Sequence, residues 1–257
     1  MHHEVRGLVL KCVDLGEADR LLTVYTKEMG VITLMAKGAR SLKNRNFATT
    51  QQFCLADYVI RARGDKYYLQ ESSIVESFFA IRESLSGFSL GLYVLEALSF
   101  VTTAEPEGEL LRLALNSLYA ICQGEKSLSI IKAAFEIRML AIIGFMPDVG
   151  ACSVCGRCDG DYYFDLIGGT LRCRECSEGA PAVGDEMTSG EATPVCIITE
   201  SVRRAILYIT ECPPTRVFSF TLGDEDMPYL EYACEEYLKH QLERSFNSLE
   251  FYKEVKG

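Results

Sequence analysis

With 257 residues, 48% of them hydrophobic and 24% charged, the chain has the length for about two domains and the composition of a packed globular protein. It contains no run of about eighteen apolar residues, so no membrane-spanning helix is expected. A net charge of −10 excludes binding to nucleic acid through overall basicity alone.

The N-terminus, MHHEVRGLVLKCVDLGEADR, lacks the basic flank and apolar run of a signal peptide. A cytoplasmic chain with reduced thiols is therefore expected. His2 and His3 read as incidental. Residues 1–80 hold eleven Lys and Arg against nine Asp and Glu, whereas the rest holds 15 against 27. That asymmetry implies different partners for the two parts.

The first part reads as β structure. VRGLVLKCVDL, RLLTVYT, GVITLMAKG, FCLADYVIRAR and YYLQESSIV are rich in β-branched and aromatic residues and are bounded by Gly, Asp and Asn. Gly64-Asp65 suits a two-residue hairpin turn, because glycine accepts positive φ at the first central position. Five short strands predict an OB-type barrel over residues 1–79. The connection KGARSLKNRNFATTQQ (37–52) carries Lys37, Arg40, Lys43 and Arg45 and no acidic residue. It is either a solvated polar loop or a phosphate-contacting surface.

Beyond Phe79 the pattern turns helical. SGFSLGLYVLEALSFVTT (86–103) is apolar nearly all round, as in a buried helix. Pro106 interrupts, and Glu107 and Glu109 favour the positive end of a second helix through LLRLALNSLYAIC, stopping at Gly124. A third helix, SLSIIKAAFEIRMLAIIGF, is capped by Ser127 and ends near Gly144 and Pro147. These three are expected to form one bundle. SEGAPAVGDEMTSGEATPV (177–195) reads as a linker. VCIITESVRRAILYITEC and MPYLEYACEEYLKHQLERSFNSL read as two further helices of that bundle. The fold class expected is α+β: a barrel over 1–79, then a helical domain over 80–257 with a metal-binding insertion at 150–178.

That insertion is CSVCGRCDGDYYFDLIGGTLRCREC. Cys152-x₂-Cys155 and Cys173-x₂-Cys176 lie seventeen residues apart, inside the spacing of a Cys₄ zinc site. A two-residue gap folds each pair into a knuckle whose sulfurs reach one ion, and DYYFDLIGGTLR reads as a hairpin joining the knuckles. Cys158 offers an alternative first knuckle with Cys155, but the gap to Cys173 then falls to fourteen. The preferred ligands are Cys152, Cys155, Cys173 and Cys176 on a single Zn²⁺. Four sulfurs leave no open position for water, so the site is expected to be structural. The other cysteines sit among apolar neighbours and read as core.

No G-x-x-x-x-G-K-[ST], H-E-x-x-H or G-x-S-x-G motif occurs. The one internal histidine, His240, lies among charged residues, and pairs such as Glu235-Glu236 read as surface charge. Neither an enzyme nor a nucleotide cofactor is expected.

Lys37-Gly38-Ala39-Arg40, Phe135-Glu136-Ile137-Arg138 through Gly144-Phe145-Met146-Pro147, and the paired cysteines follow one another in an order that resembles the RecO family of bacterial DNA repair proteins. The loop after Arg40, SLKNRNFATTQQF, departs from the family pattern in lacking a proline-containing turn. The resemblance implies an OB fold, a helical domain and a zinc element. It implies a non-enzymatic recombination mediator that binds single- and double-stranded DNA and anneals complementary strands. It also implies action with RecR to load RecA onto DNA coated by single-stranded-DNA-binding protein, contact with that protein's acidic C-terminal tail, and a place near the nucleoid.

On that basis Lys37, Arg40, Lys43, Arg45, Arg61, Arg63 and Lys66 are candidate phosphate contacts. Tyr58, Tyr67, Tyr68 and Phe53 are candidates either for base stacking or for the barrel core. Lys126, Lys132 and Arg138 are candidates for the acidic tail, with Arg138 equally able to brace the bundle through a buried carboxylate. A zinc-ribbon scaffold that binds protein alone is the rival reading. A zinc hydrolase is disfavoured by the closed site.

Overall fold

The computed structural model describes residues 2–64, 66–101, 108–177 and 194–256. The chain groups into two compact units, Met1–Gln123 with Phe246–Gly257, and Gly124–Ser245.

The first unit begins with a closed barrel. Its strands are β1 (His2–Leu15), β2 (Asp19–Thr26), β3 (Gly30–Ala36), β4 (Cys54–Arg63) and β5 (Lys66–Ser77). They close in the order β1-β2-β3-β5-β4, with only the β3–β5 pair parallel. Alternation along each strand sends one set of side chains inward. The register sets Leu22 opposite Leu34 and Ile60 opposite Leu69, and with Val5, Val9, Val24, Ile32, Ala56 and Tyr58 they fill the interior. Each fully buried aliphatic side chain contributes about 1.5–3 kcal/mol. Arg63 pairs with Lys66 across the expected hairpin, and Gly64 has φ +59°; Asp65 lies outside the described residues.

The expected five-stranded OB-type barrel is therefore present, and its β3–β4 connection is folded onto it. Gly38 (φ +66°) turns the chain and donates its N–H to Asp19 Oδ1 at 2.8 Å. Turns then close from Ser41 N to Gly38 O, Asn44 N to Ser41 O and Phe47 N to Asn44 O. Ala39 and Asn46 are buried, and a 3-10 turn follows at Ala48–Thr50.

Three helices complete this unit: α1 (Leu85–Val101), α2 (Gly108–Gln123) and α7 (Asn247–Lys256). The expected start of the second helix at Pro106 and Glu107 lies outside the described residues. The surface of α1 is small where it meets Phe53: a Cβ at Gly91 would stand 3.0 Å from that ring. Tyr93 and Phe100 pack edge-on against the buried ring of Phe246. Glu96 accepts hydrogen bonds from the Ser248 N–H and hydroxyl in the first turn of α7.

In the second unit, α3 (Leu128–Ile142) is capped by Ser127, whose hydroxyl accepts from the Ile130 N–H at 3.2 Å. Strands β6 (Asp148–Cys152), β7 (Tyr162–Asp165), β8 (Thr170–Cys173) and β9 (Val195–Ile198) form a sheet ordered β6-β8-β7-β9. A short α4 (Arg174–Ser177) follows β8, while α5 (Glu200–Glu211) and α6 (Met227–Leu242) pack on α3. The expected linker falls largely on residues 178–193, outside the described set.

Four expectations need correction. The three consecutive helices do not form one bundle: α1 and α2 belong to the first unit and α3 to the second. VCIITESVRRAILYITEC is not a single helix, because the β-branched Val195–Ile198 pairs with β7 and Thr199 then caps α5 by accepting from the Val202 N–H. The last predicted helix is two, since Glu243 adopts a left-handed conformation (φ +49°) and the buried Phe246 redirects the chain. Glu235 is not surface charge. It is buried, and it binds Lys132 at 2.9 Å and Lys239 at 2.7 Å.

Candidate functional site

Two constellations carry chemistry, one in each unit. The first is a cationic stripe on the outside of the barrel. Strand register aligns Leu21, Met35, Tyr68, Arg61 and His2 on neighbouring strands β2, β3, β5, β4 and β1. Their chain neighbours Leu22, Leu34, Leu69 and Ile60 are interior, so this row faces outward. Two residues beyond Arg61 on the same face of β4 stands Arg63, with Lys66 opposite it, and Lys37 follows β3 in the turn after Ala36. The Lys37 ammonium lies 5.9 Å from the centre of the Tyr68 ring, within cation–π reach.

The seven candidate cations divide by what holds them. Arg40 donates to the Gly16 carbonyl and pairs with Asp14 at 3.3 Å. Arg45 donates to the Gln70 carbonyl at 3.0 Å and pairs with Glu71 at 3.3 Å. Lys37, Lys43, Arg61, Arg63 and Lys66 are exposed and, among the described residues, have no carboxylate partner. Those five hold charge that is not already satisfied.

The candidate stacking residues divide too. Tyr58 is 1% exposed, and its hydroxyl donates to Thr49 O at 2.8 Å. Phe53 is 2% exposed with φ +71°, and its ring packs on Phe88. Both are core and are withdrawn as stacking surfaces. Tyr68 remains half-exposed on the outer face, whereas Tyr67 is half-buried and packs against the barrel core.

The second constellation is the cysteine cluster. The sulfurs of Cys152, Cys155, Cys173 and Cys176 all lie within 4.8 Å of one another. Local turns bring them there. Gly156 (φ +74°) donates its N–H to Cys152 O at 2.9 Å, closing the first knuckle. The Ser153 N–H and hydroxyl both donate to Leu171 O, tying that knuckle to β8. Arg157 grips Glu175 through two 2.8 Å hydrogen bonds, linking the first knuckle to the helix that carries the second. The predicted β7–β8 hairpin forms, with Phe164 opposite Leu171 and Gly169 at φ +65°. Cys158 is exposed and outside the cluster.

The donor set fits a cation. Burial opposes ionisation of Cys152, but N–H groups of Cys173, Cys155 and Val154 aimed at its sulfur bring the thiol down to about 6. Hydrogen bonds to the neighbouring Cys173 and Cys155 sulfurs push Cys176 up to about 12. Like charges so close cannot all ionise alone, and a divalent ion removes that penalty. The four sulfurs are positioned to hold one metal ion and would fill a tetrahedral shell.

Arg203 is a residue that the sequence reading missed. It is 6% exposed, lies 5.7 Å from the Tyr162 ring centre and donates to the carbonyls of Val149, Gly150 and Cys158 as well as to Glu200. It braces the cysteine element against α5. The available signal was a charged residue among the buried positions Val202, Ala205, Ile206 and Ile209.

The three residues assigned to an acidic tail do not gather on a surface. Lys132 is 2% exposed and held by Glu136 and Glu235, both at 2.9 Å. Its assignment is overturned, because a buried, doubly paired ammonium has nothing to offer a peptide. Burial works against its charge, but the two carboxylates prevail and raise its pKa. Arg138 donates to the carbonyls of Ile209 at 3.0 Å and Thr210 at 2.6 Å in the last turn of α5. It braces helices, through carbonyls rather than the expected carboxylate. Lys126 is half-exposed.

No helix among the described residues is long and apolar enough to cross a membrane. Comparison with known proteins finds the family model described as Recombination protein O N terminal over residues 1–78, and Recombination protein O C terminal over 82–189. Curated relatives named DNA repair protein RecO include one from Acetivibrio thermocellus, 31% identical over 96% of this chain and 94% of its own. One from Caldanaerobacter subterraneus is 25% identical over 96% of each chain. One from Myxococcus xanthus is 38% identical over 66% of this chain and 70% of its own. These names state a process, DNA repair, and no reaction.

Proposed function

This chain belongs to the RecO family, and from that premise we propose that it is a DNA-binding recombination mediator that anneals complementary single strands. With RecR it helps load RecA onto DNA coated by single-stranded-DNA-binding protein. It works in the cytoplasm at the nucleoid, on single- and double-stranded DNA. Residues 1–79 form the DNA-binding part, and residues 80–257, with the metal element at 150–178, form the part that meets proteins. The acidic tail of the coating protein is the partner for which Lys126 remains a candidate contact.

The observation that carries this reading is the set of five exposed candidate cations that, among the described residues, have no carboxylate partner, around Tyr68 and on the adjoining loop. Phosphates supply the missing counter-charge, and a base stacks on Tyr68 for about 1–3 kcal/mol. No bond is made or broken. Annealing requires two strands held with their repulsion reduced and their bases accessible. The ion held by Cys152, Cys155, Cys173 and Cys176 is a single Zn²⁺ with a structural role.

The test is annealing of complementary oligonucleotides over a salt series, with no nucleotide added. If all five cations meet phosphates of a single strand, log affinity falls against log salt with a slope of about −3.5. A slope near zero overturns the reading and leaves a scaffold that binds protein alone.

A further inference from the structure

Leu42 is 81% exposed, more than any other large hydrophobic side chain among the described residues. Single exposed leucines are common and by themselves mean nothing. Three features separate this one.

First, its exposure belongs to an ordered loop. Leu42 follows Ser41, the residue shared by the turn closing on Gly38 and the turn closing from Asn44. Ala39 and Asn46 are buried on either side of it, and Ser72 donates to the Asn46 amide oxygen at 2.9 Å. The Arg40 N–H donates to Ala18 O at 3.0 Å and Arg45 to Gln70 O, pinning the loop to the β1–β2 turn at one shoulder and to β5 at the other. The knob is therefore held out before any ligand arrives, so little ordering entropy opposes its use.

Second, its surroundings are cationic. Lys37, Arg40, Lys43 and Arg45 lie within five residues of it, and residues 37–52 contain no acidic side chain. Arg40 and Arg45 are already paired with Asp14 and Glu71, which leaves Lys37 and Lys43 as the open charges flanking the apolar tip in the chain, and that combination complements a ligand with anionic outside and apolar inside. DNA has that build, with phosphates outward and stacked base faces within.

Third, its shape is a projection. A peptide's apolar residue needs a concave pocket, whereas a base stack is opened by a convex wedge. Leucine is among the residues that enter base steps, partly unstacking them.

We propose that Leu42 is an apolar wedge that enters the base stack of DNA gripped by the barrel cations. This deepens the DNA-binding reading above and rests on it. Held there, the side chain unstacks a base step, keeping base edges available for a complementary strand. Lys43, next to it and without a carboxylate partner among the described residues, grips the adjoining phosphate.

The experiment uses the full chain and an oligonucleotide duplex containing 2-aminopurine, whose fluorescence rises when it unstacks. Wild-type protein at saturation is expected to give a several-fold rise. Leu42→Ala should lose most of that rise and slow annealing while leaving the salt slope unchanged. Lys43→Ala should keep the rise at saturation and flatten the slope by about 0.9 on this duplex. Leu42→Met, which preserves an apolar projection, should restore the signal. Thermal midpoints should match, since Leu42 is outside the core. A Leu42→Ala protein that keeps the full fluorescence rise overturns the wedge and leaves DNA binding intact. So does one that keeps the rise but loses affinity for an acidic peptide. Absence of DNA binding by the wild type overturns both the wedge and the reading on which it rests.

Discussion

Of the seven candidate cations on the barrel and its loop, five face solvent without a carboxylate partner among the described residues; in the second unit Lys132, Arg138 and Arg203 are already committed. Lys132 sits between two carboxylates, Arg138 on two carbonyls, and Arg203 on three carbonyls and a carboxylate. The difference teaches that charge becomes a binding surface only where folding leaves it unsatisfied. Counting residues cannot separate the two cases. Lys132 and Lys37 are alike in the sequence, but one is a buried structural link and the other an exposed group beside an aromatic ring.

The severest way to test the contrast is to break the cysteine element. Replacing Cys152 with Ser removes a buried ligand, and structural zinc supplies on the order of 10 kcal/mol to the folding of isolated zinc peptides. Metal content should fall from one ion per chain to near none, with a lowered thermal midpoint. Cys158→Ser should retain the metal. Equal loss in both variants would mean the ligand set is wrong.

Lys132→Met should be next in size. It leaves Glu136 and Glu235 buried without their shared ammonium, at a cost of about 3–5 kcal/mol in urea unfolding. An unchanged midpoint, with weakened binding of an acidic peptide, would restore Lys132 to a surface role and erase the contrast.

On the barrel side, joint replacement of Lys37, Arg61, Arg63 and Lys66 by Gln should barely affect stability, because none has an ion-pair partner among the described residues to lose. The salt dependence of single-strand binding should flatten by about 0.7 per lost contact. A large drop in stability with no change in slope would reverse the assignment.

The smallest expected effect is a pH dependence. Glu200 is held below its usual 4.5 by hydrogen bonds from Arg203 and Arg204. Between the folded and unfolded values the unfolded chain binds more protons, so stability rises with pH there. The contribution is fully present above 4.5 and is lost as pH falls through the folded value. The advantage of wild type over Glu200→Gln should therefore shrink on acidification below 4.5 in urea titrations followed by circular dichroism.

Much of this molecule was legible in the chain. Strand alternation and turn residues specified the five strands of the barrel, and paired C-x₂-C spacing picked out four cysteines whose sulfurs do cluster. Both signals are local: a pleat repeats every two residues, and a two-residue gap folds into a knuckle wherever it occurs. The less local features were not legible. Val195–Ile198 is a strand because β7 offers an edge, and a helical reading of the same residues was equally consistent with their apolar pattern. Glu235 looks like surface charge until α6 packs its carboxylate onto Lys132 of α3. The fate of each cation was likewise decided by partners far away in the chain, as with Arg203 and Val149 or Arg45 and Gln70. By itself the sequence determined the five barrel strands and where a metal can be held, because those depend on neighbours a few residues apart. Only the tertiary structure decided which charges remain free to bind, because an electrostatic partner is chosen by distance in space.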